Sequence, residues 1–228
     1  MKTSLSVAFL SILAGACATA PKPDSAALSS AEASGWLERY CSKGPRDLSG
    51  SLVVHANTRE FKGQHPASLR FDPKGGFVLE VTNILGGTML RLRSDGASFE
   101  VEAPAKPEYS RKGVTRYMGI EASVLTQLLL GDLPCPAERT KGAPKVEGAS
   151  VRITTVPWIW SYTRAVVKDQ RVPYGLELIP AGKADPASRI ELRIEDWDRE
   201  RNFARKVRVH TAEGDLRWTW RERKEQGT

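Results

Sequence analysis

Along most of the chain apolar and polar residues alternate one by one. Leu52/Val54, Leu69/Phe71, Phe77/Leu79/Val81, Leu90/Leu92 and Phe99/Val101 carry the pattern through the first half. Val151/Ile153, Ala165/Val167, Tyr174/Leu176/Leu178, Ile190/Leu192/Ile194, Val207/Val209 and Leu216/Trp218/Trp220 carry it through the second. A period of two marks strands buried on one face, and the pattern predicts about eleven of them. Turn-forming runs separate them, among them Asp72-Pro73-Lys74-Gly75-Gly76, Ser94-Asp95-Gly96 and Glu213-Gly214-Asp215. One-sided strands in hairpin succession imply an antiparallel sheet with a single apolar face. Helical patterning is confined to Ser29–Cys41 and Ile120–Leu130, where Val124, Leu125, Leu128 and Leu129 form a stripe. Two short helices can cap a strongly curved sheet but are too few to fill its concavity, so the expected fold is mainly β (α+β) with a hydrophobic hollow. A filled barrel is the rival. The expected wall of the hollow comprises Leu52, Val54, Leu69, Phe71, Leu79, Leu90, Leu92, Leu125, Leu128, Leu129, Leu176, Leu192 and Trp218.

One turn breaks the rule that turns are polar. Thr82-Asn83-Ile84-Leu85-Gly86-Gly87 places two bulky aliphatic side chains between the strands Phe77–Val81 and Leu90–Arg93. Asn83 and the two glycines supply the turn chemistry. Either Ile84 and Leu85 are covered by a neighbouring element, or they enter something apolar outside the protein.

The first residues predict an export signal: Lys2, an apolar run Leu5–Leu13, and the small residues Ala14-Gly15-Ala16. The run is too short to span a bilayer. Leu13-Ala14-Gly15-Ala16-Cys17 resembles a bacterial lipobox, in which Cys17 receives a diacylglyceryl group; Ala14-x-Ala16 also suits an ordinary signal peptidase. The expected organisation is a signal peptide over 1–16, a flexible Pro/Ala/Ser tether over 17–30, a globular domain over 31–222 and a disordered tail over 223–228. Ala18 stands where an Asp would retain an enterobacterial lipoprotein in the inner membrane, which points to the outer membrane, facing the periplasm. In that oxidising space Cys41 and Cys135 are candidates for a disulfide, the alternative being two separately buried thiols.

Composition narrows the function. The chain is 40% hydrophobic and 27% charged, which suits one globular domain after the tether. The net charge of +7 would suggest nucleic acid in a cytosolic protein, but export removes that reading. The basic residues also stand singly between apolar ones, as in Leu90-Arg91-Leu92-Arg93, like a solvated sheet face. Weak attraction to anionic head groups is compatible with it. No nucleophile elbow, phosphate-cradling Gly loop, Cys-x-x-Cys or His-Glu-x-x-His run is present, so neither an enzyme nor a metal or cofactor site is expected. His55, His65 and His210 are scattered, and the run Glu195–Arg201 interleaves its acids with competing arginines. Pro157-Trp158-Ile159-Trp160 is an apolar cluster that belongs to the core or to a cavity mouth, the core being the simpler reading.

Three segments carry a family resemblance: Asp47–Val54, Phe77–Leu92 with its Asn83-Ile84-Leu85-Gly86 turn, and the Leu-rich helix ending Leu130-Gly131-Asp132-Leu133-Pro134. They resemble LolB, of the LolA/LolB superfamily. Lys206–Trp220 resembles the closing hairpin of that family. The resemblance implies an unclosed antiparallel half-barrel whose helical lid covers an acyl-chain cavity. It implies a monomeric outer-membrane lipoprotein that receives lipoproteins from a LolA-like periplasmic carrier and inserts them into outer-membrane lipid. Leu85 matches the residue that enters the membrane in that family; Ile84 replaces the usual Pro, which is expected to make the tip more apolar and less rigid. The Cys41/Cys135 pair is not part of the family pattern. A lipid or glycolipid carrier, and a structural or envelope-sensing lipoprotein, are the alternatives.

Overall fold

The computed structural model describes residues 22–41, 44, 46–136, 144–155, 157–167, 169–181 and 188–225. The eleven strands expected from alternation all form: β2 (Leu48–Asn57), β3 (Lys62–Phe71), β4 (Phe77–Thr82), β5 (Thr88–Ser94), β6 (Phe99–Glu102), β11 (Ser150–Thr154), β12 (Trp158–Val167), β13 (Gln170–Pro180), β14 (Ile190–Asp198), β15 (Phe203–Thr211) and β16 (Gly214–Glu225). Five short strands join them that alternation does not announce: β1 (Lys22–Pro23), β7 (Arg111–Val114), β8 (Arg116–Tyr117), β9 (Ile120–Glu121) and β10 (Lys145–Glu147). β8 and β9 make a separate hairpin, and every other strand among the described residues belongs to one antiparallel sheet.

That sheet runs from β10 through β11–β16 to β2 and on through β3–β6 to β7, with β1 added beside β12. Its central seam is the pairing of β16 with β2, where Trp218 faces Val54 and Trp220 faces Leu52. The edge strands β10 and β7 do not pair with each other, so the curved sheet stays open. Alternation holds except at bulges. One bulge lies opposite Thr163/Arg164, and it turns Tyr174 off the apolar face, so that Val172 rather than Tyr174 is buried and the Tyr174 ring lies under the Arg193 guanidinium.

Two helices lie on the apolar face. α1 (Ser30–Tyr40) starts at a capping box, with the Ser29 hydroxyl accepting from the Glu32 N–H and the Glu32 carboxylate accepting from the Ser29 N–H. It buries Ala33, Trp36, Leu37 and Tyr40. α2 (Ala122–Leu129) buries Val124, Leu125, Leu128 and Leu129, the stripe expected from the sequence. Gly131 stops it at φ +79°, where a Cβ would lie 2.9 Å from the Phe203 ring and 3.1 Å from the Ala204 carbonyl oxygen. Cys41 and Cys135 are bonded as a disulfide with Cα atoms 5.6 Å apart, tying the end of α1 to the segment after α2.

Three expectations are corrected here. The segment 17–30 is not tether throughout: β1 pairs with β12, the Asp24 N–H donates to the Arg164 carbonyl at 2.9 Å, and Leu28 is buried. The reason lies in Asp24, whose carboxylate is the counter-ion of the fully buried Arg164 at 3.5 Å and of Arg171 at 3.0 Å. At the other end β16 continues through Glu225 beside β2, because a bulge between Trp220 and Glu222 breaks the alternation without breaking the ladder. Residues 226–228 lie outside the described residues. The third correction concerns the hollow, which is packed among the described residues. Trp158, Trp160, Tyr162, Trp218, Trp220 and the β8–β9 hairpin occupy the space that two helices alone leave empty.

Candidate functional site

Among the described residues, the turn between β4 and β5 is the most exposed apolar feature of the surface. Val81 faces Leu90 as the last core pair, and a bulge then carries the chain to Thr82 opposite Thr88. Asn83 organises the turn beyond it. Its N–H donates to the Gly87 carbonyl at 2.9 Å, its own carbonyl accepts from the Gly86 N–H at 3.0 Å, and its side-chain Oδ1 accepts from the N–H groups of Leu85 and Gly87, both at 2.9 Å. Gly86 adopts φ +85° to make this possible. Four hydrogen bonds therefore hold the turn where Ile84 stands. Ile84 and Leu85 stand on this frame 90% and 89% exposed. Burying two such side chains in an apolar medium is worth about 3–6 kcal/mol, none of which the folded chain itself gains.

The base of the hairpin is held by charge. Arg91 pairs with Glu80 at 3.1 Å and with Glu102 at 3.0 Å on the outer face, and Thr88 Oγ1 donates to Glu80 at 2.6 Å. The Thr88 hydroxyl, helped by Arg91, holds the Glu80 carboxyl below its ordinary value against the opposing effect of desolvation. Arg59 and Lys62, both exposed, lie on the β2–β3 turn at the same end of the sheet.

Beneath the tip lies the seam between α2 and the sheet. A void of about 10 Å³ remains there, lined by Val54, Leu79, Leu90, Leu92, Leu125 and Leu129 among the expected wall residues and by Phe61, Val81, Tyr117 and Leu216 besides. Leu52, Leu69, Phe71, Leu128, Leu176, Leu192 and Trp218 are buried in the same apolar layer without bordering the void. Phe61 and Tyr117 stand outside any alternating run, which is why the sequence pattern passes over them.

α2 is fastened unequally at its two ends. After its C-terminus the disulfide, the Arg46–Asp132 ion pair, the Tyr162 hydroxyl on the Pro134 carbonyl (3.1 Å) and the Cys135 N–H on Gln127 Oε1 (2.9 Å) fix the chain. Before its N-terminus the hold is lighter and uses no covalent link. The Ala122 N–H reaches the Thr115 carbonyl at 3.3 Å, the Trp158 indole donates to Glu121 at 3.0 Å, and Arg116 pairs with the same carboxylate at 3.2 Å.

The remaining candidates fall elsewhere. Trp158 and Trp160 are core. His210 is exposed and pairs with Asp215 at 2.9 Å, His55 is half-buried, and His65 stacks edge-on against Phe61. Glu195 is taken up by Lys206, Arg208 and Arg217, and Asp196 by Arg205, as the interleaved arginines of that run imply. Cys17 lies outside the described residues.

No family model matches the chain, and no curated protein matches it in sequence. Solved structures resemble it in overall shape. A LolA superfamily protein from Nitrosomonas europaea aligns with a TM-score of 0.46 at 7% identity, over 88% of this chain and 95% of its own. A DUF1329 family protein from Desulfovibrio piger aligns with a TM-score of 0.43 at 9% identity, over 86% and 91%. A domain described as an outer membrane lipoprotein-sorting protein, from Vibrio parahaemolyticus, aligns with a TM-score of 0.41 at 10% identity, over 86% and 92%. These are likenesses of shape and carry no functional argument.

Proposed function

We propose that the chain is an outer-membrane lipoprotein, anchored through a diacylglyceryl group on Cys17 and facing the periplasm, that accepts lipoproteins from a LolA-like carrier and inserts them into the bilayer. The cargo's acyl chains enter between α2 and the sheet as α2 pivots, and they leave at the Ile84–Leu85 tip. The physical need is plain: each acyl methylene left in water costs about 0.8 kcal/mol, so chains crossing an aqueous space require an apolar shelter. No covalent step is involved. The single observation that carries the reading is the tip, two fully exposed aliphatic side chains on a hydrogen-bonded turn, with Arg59 and Lys62 at the same end of the sheet to meet anionic head groups.

Leu85→Glu tests it. Melting temperature and capture of a lipidated cargo should stay at the wild-type level, because a charge on an exposed turn changes stability by no more than about 0.5 kcal/mol. Transfer of the captured cargo to liposomes should fail. A well-folded variant that transfers normally defeats the insertion role. The closed interior favours a second reading, a structural or sensing envelope lipoprotein whose core never opens. Wild-type protein that captures no acylated cargo would establish that alternative.

A further inference from the structure

Nine of the ten side chains around the interior void are apolar, and the tenth is Tyr117. Tyr117 is 1% exposed, its ring rests edge-on against Phe99 at 6.3 Å, and its hydroxyl has no hydrogen-bond partner among the described residues. Burial pushes its pKa up, so the group remains a neutral O–H donor. Two more donors in the same apolar layer lack partners among those residues, the indole N–H groups of Trp218 and Trp220. Both follow Leu216 along the inner face of β16, and Trp218 stands opposite Val54 on β2; Leu216 and Val54 border the void. Buried donors are nearly always paired in folded proteins, and phenylalanine would fill the Tyr117 site without the penalty. Water is a poor answer. The void has room for about one molecule, which needs two or more polar partners, and among the described residues Tyr117 offers the only polar side chain on the wall.

We infer that the unpaired Tyr117 hydroxyl forms the polar part of the ligand site and donates to an ester carbonyl oxygen at the glyceryl end of an acylated ligand. The acceptor is neutral, because no cationic side chain among the described residues borders the void to meet a phosphate or a carboxylate. The interior thus selects ester-linked diacylglyceryl compounds over hydrocarbon chains of equal length. This inference rests on the acyl-chain reading.

The test uses the full chain after signal removal and two short-chain probes with one head group, dihexanoyl glycerophosphocholine and its dihexyl ether analogue, with binding followed calorimetrically. Wild type should prefer the ester by about two- to tenfold, the worth of one net hydrogen bond. Tyr117→Phe should bring that preference to about one, leave ether binding unchanged, and keep or raise the melting temperature, since it deletes an unpaired hydroxyl. Equal binding of both probes by wild type, or an ester preference that survives in Tyr117→Phe, overturns the inference while leaving the acyl-chain reading intact. A markedly destabilised Tyr117→Phe also overturns it, because the hydroxyl would then serve the unliganded fold. Failure of wild type to bind either probe removes the acyl-chain reading itself.

Discussion

The disulfide ties the segment after α2 to the end of α1, and its contribution can be worked from the chain. Cys41 and Cys135 are separated by 94 residues in sequence, and both lie in the buried core. In the chain-entropy treatment a closed loop of that length restricts the unfolded state by about 4.7 kcal/mol. A domain of roughly 200 residues unfolds with an entropy near 0.4 kcal/mol/K, so cutting the bridge should lower the melting temperature by about 10 °C. The assay is thermal and urea unfolding of oxidised wild type, reduced wild type and the Cys41→Ala/Cys135→Ala variant. Reduced wild type keeps both sulfur atoms, so its agreement with the double variant isolates the cross-link from the small cavities that alanine leaves. A shift below about 3 °C in both, or thiols that alkylate in native, unreduced protein, would refute the reasoning.

Gly131→Ala should destabilise by about 2 kcal/mol or more, combining the left-handed backbone penalty with the displaced Phe203 ring; a change within about 0.5 kcal/mol in urea unfolding contradicts the geometry. Asp24→Ala strips the carboxylate from fully buried Arg164 and should cost about 3 kcal/mol, with earlier proteolysis at β1; unchanged stability would mean that the guanidinium finds other acceptors. Because the folded pKa of Glu80 lies below its ordinary 4.5, its contribution to the hairpin base is fully present above that pH and fades as pH falls through the folded value. Amide shifts of Thr88 and Arg91 should therefore move only below about pH 4.5, and movement near neutrality excludes Glu80 as the cause.

The strands are legible wherever two or three large apolar residues recur at period two, because one buried face imposes that spacing. β1, β7 and β10 escape because they are two to four residues long and mostly charged or polar, held by a neighbour's ladder rather than by burial of their own side chains, and β8 and β9 escape because each carries a single buried residue, Tyr117 or Ile120, too few to show a period. The exposure of Ile84 and Leu85 is open in the sequence, where the pair taken alone suits a covered loop better; the Asn83 frame that raises the pair depends on a side chain reaching the N–H groups two and four residues on. The closed interior departs from the expected hollow for a quantitative reason. Helix length measures how much of the concavity helices can fill, but the sheet's own indoles and phenol rings fill the remainder, and alternation records that they point inward without recording how far they reach.

The pairing of β1 with β12 has a mechanical consequence. If Cys17 holds the lipid, then however residues 18–21 are arranged, the five Cα steps from Cys17 to Lys22 reach at most about 18 Å. A leash that short does not let the domain roam the periplasm in search of a partner. It moors the domain within a helix-length of the head groups and restricts the tilts it can sample, so partners must come to the membrane to be met.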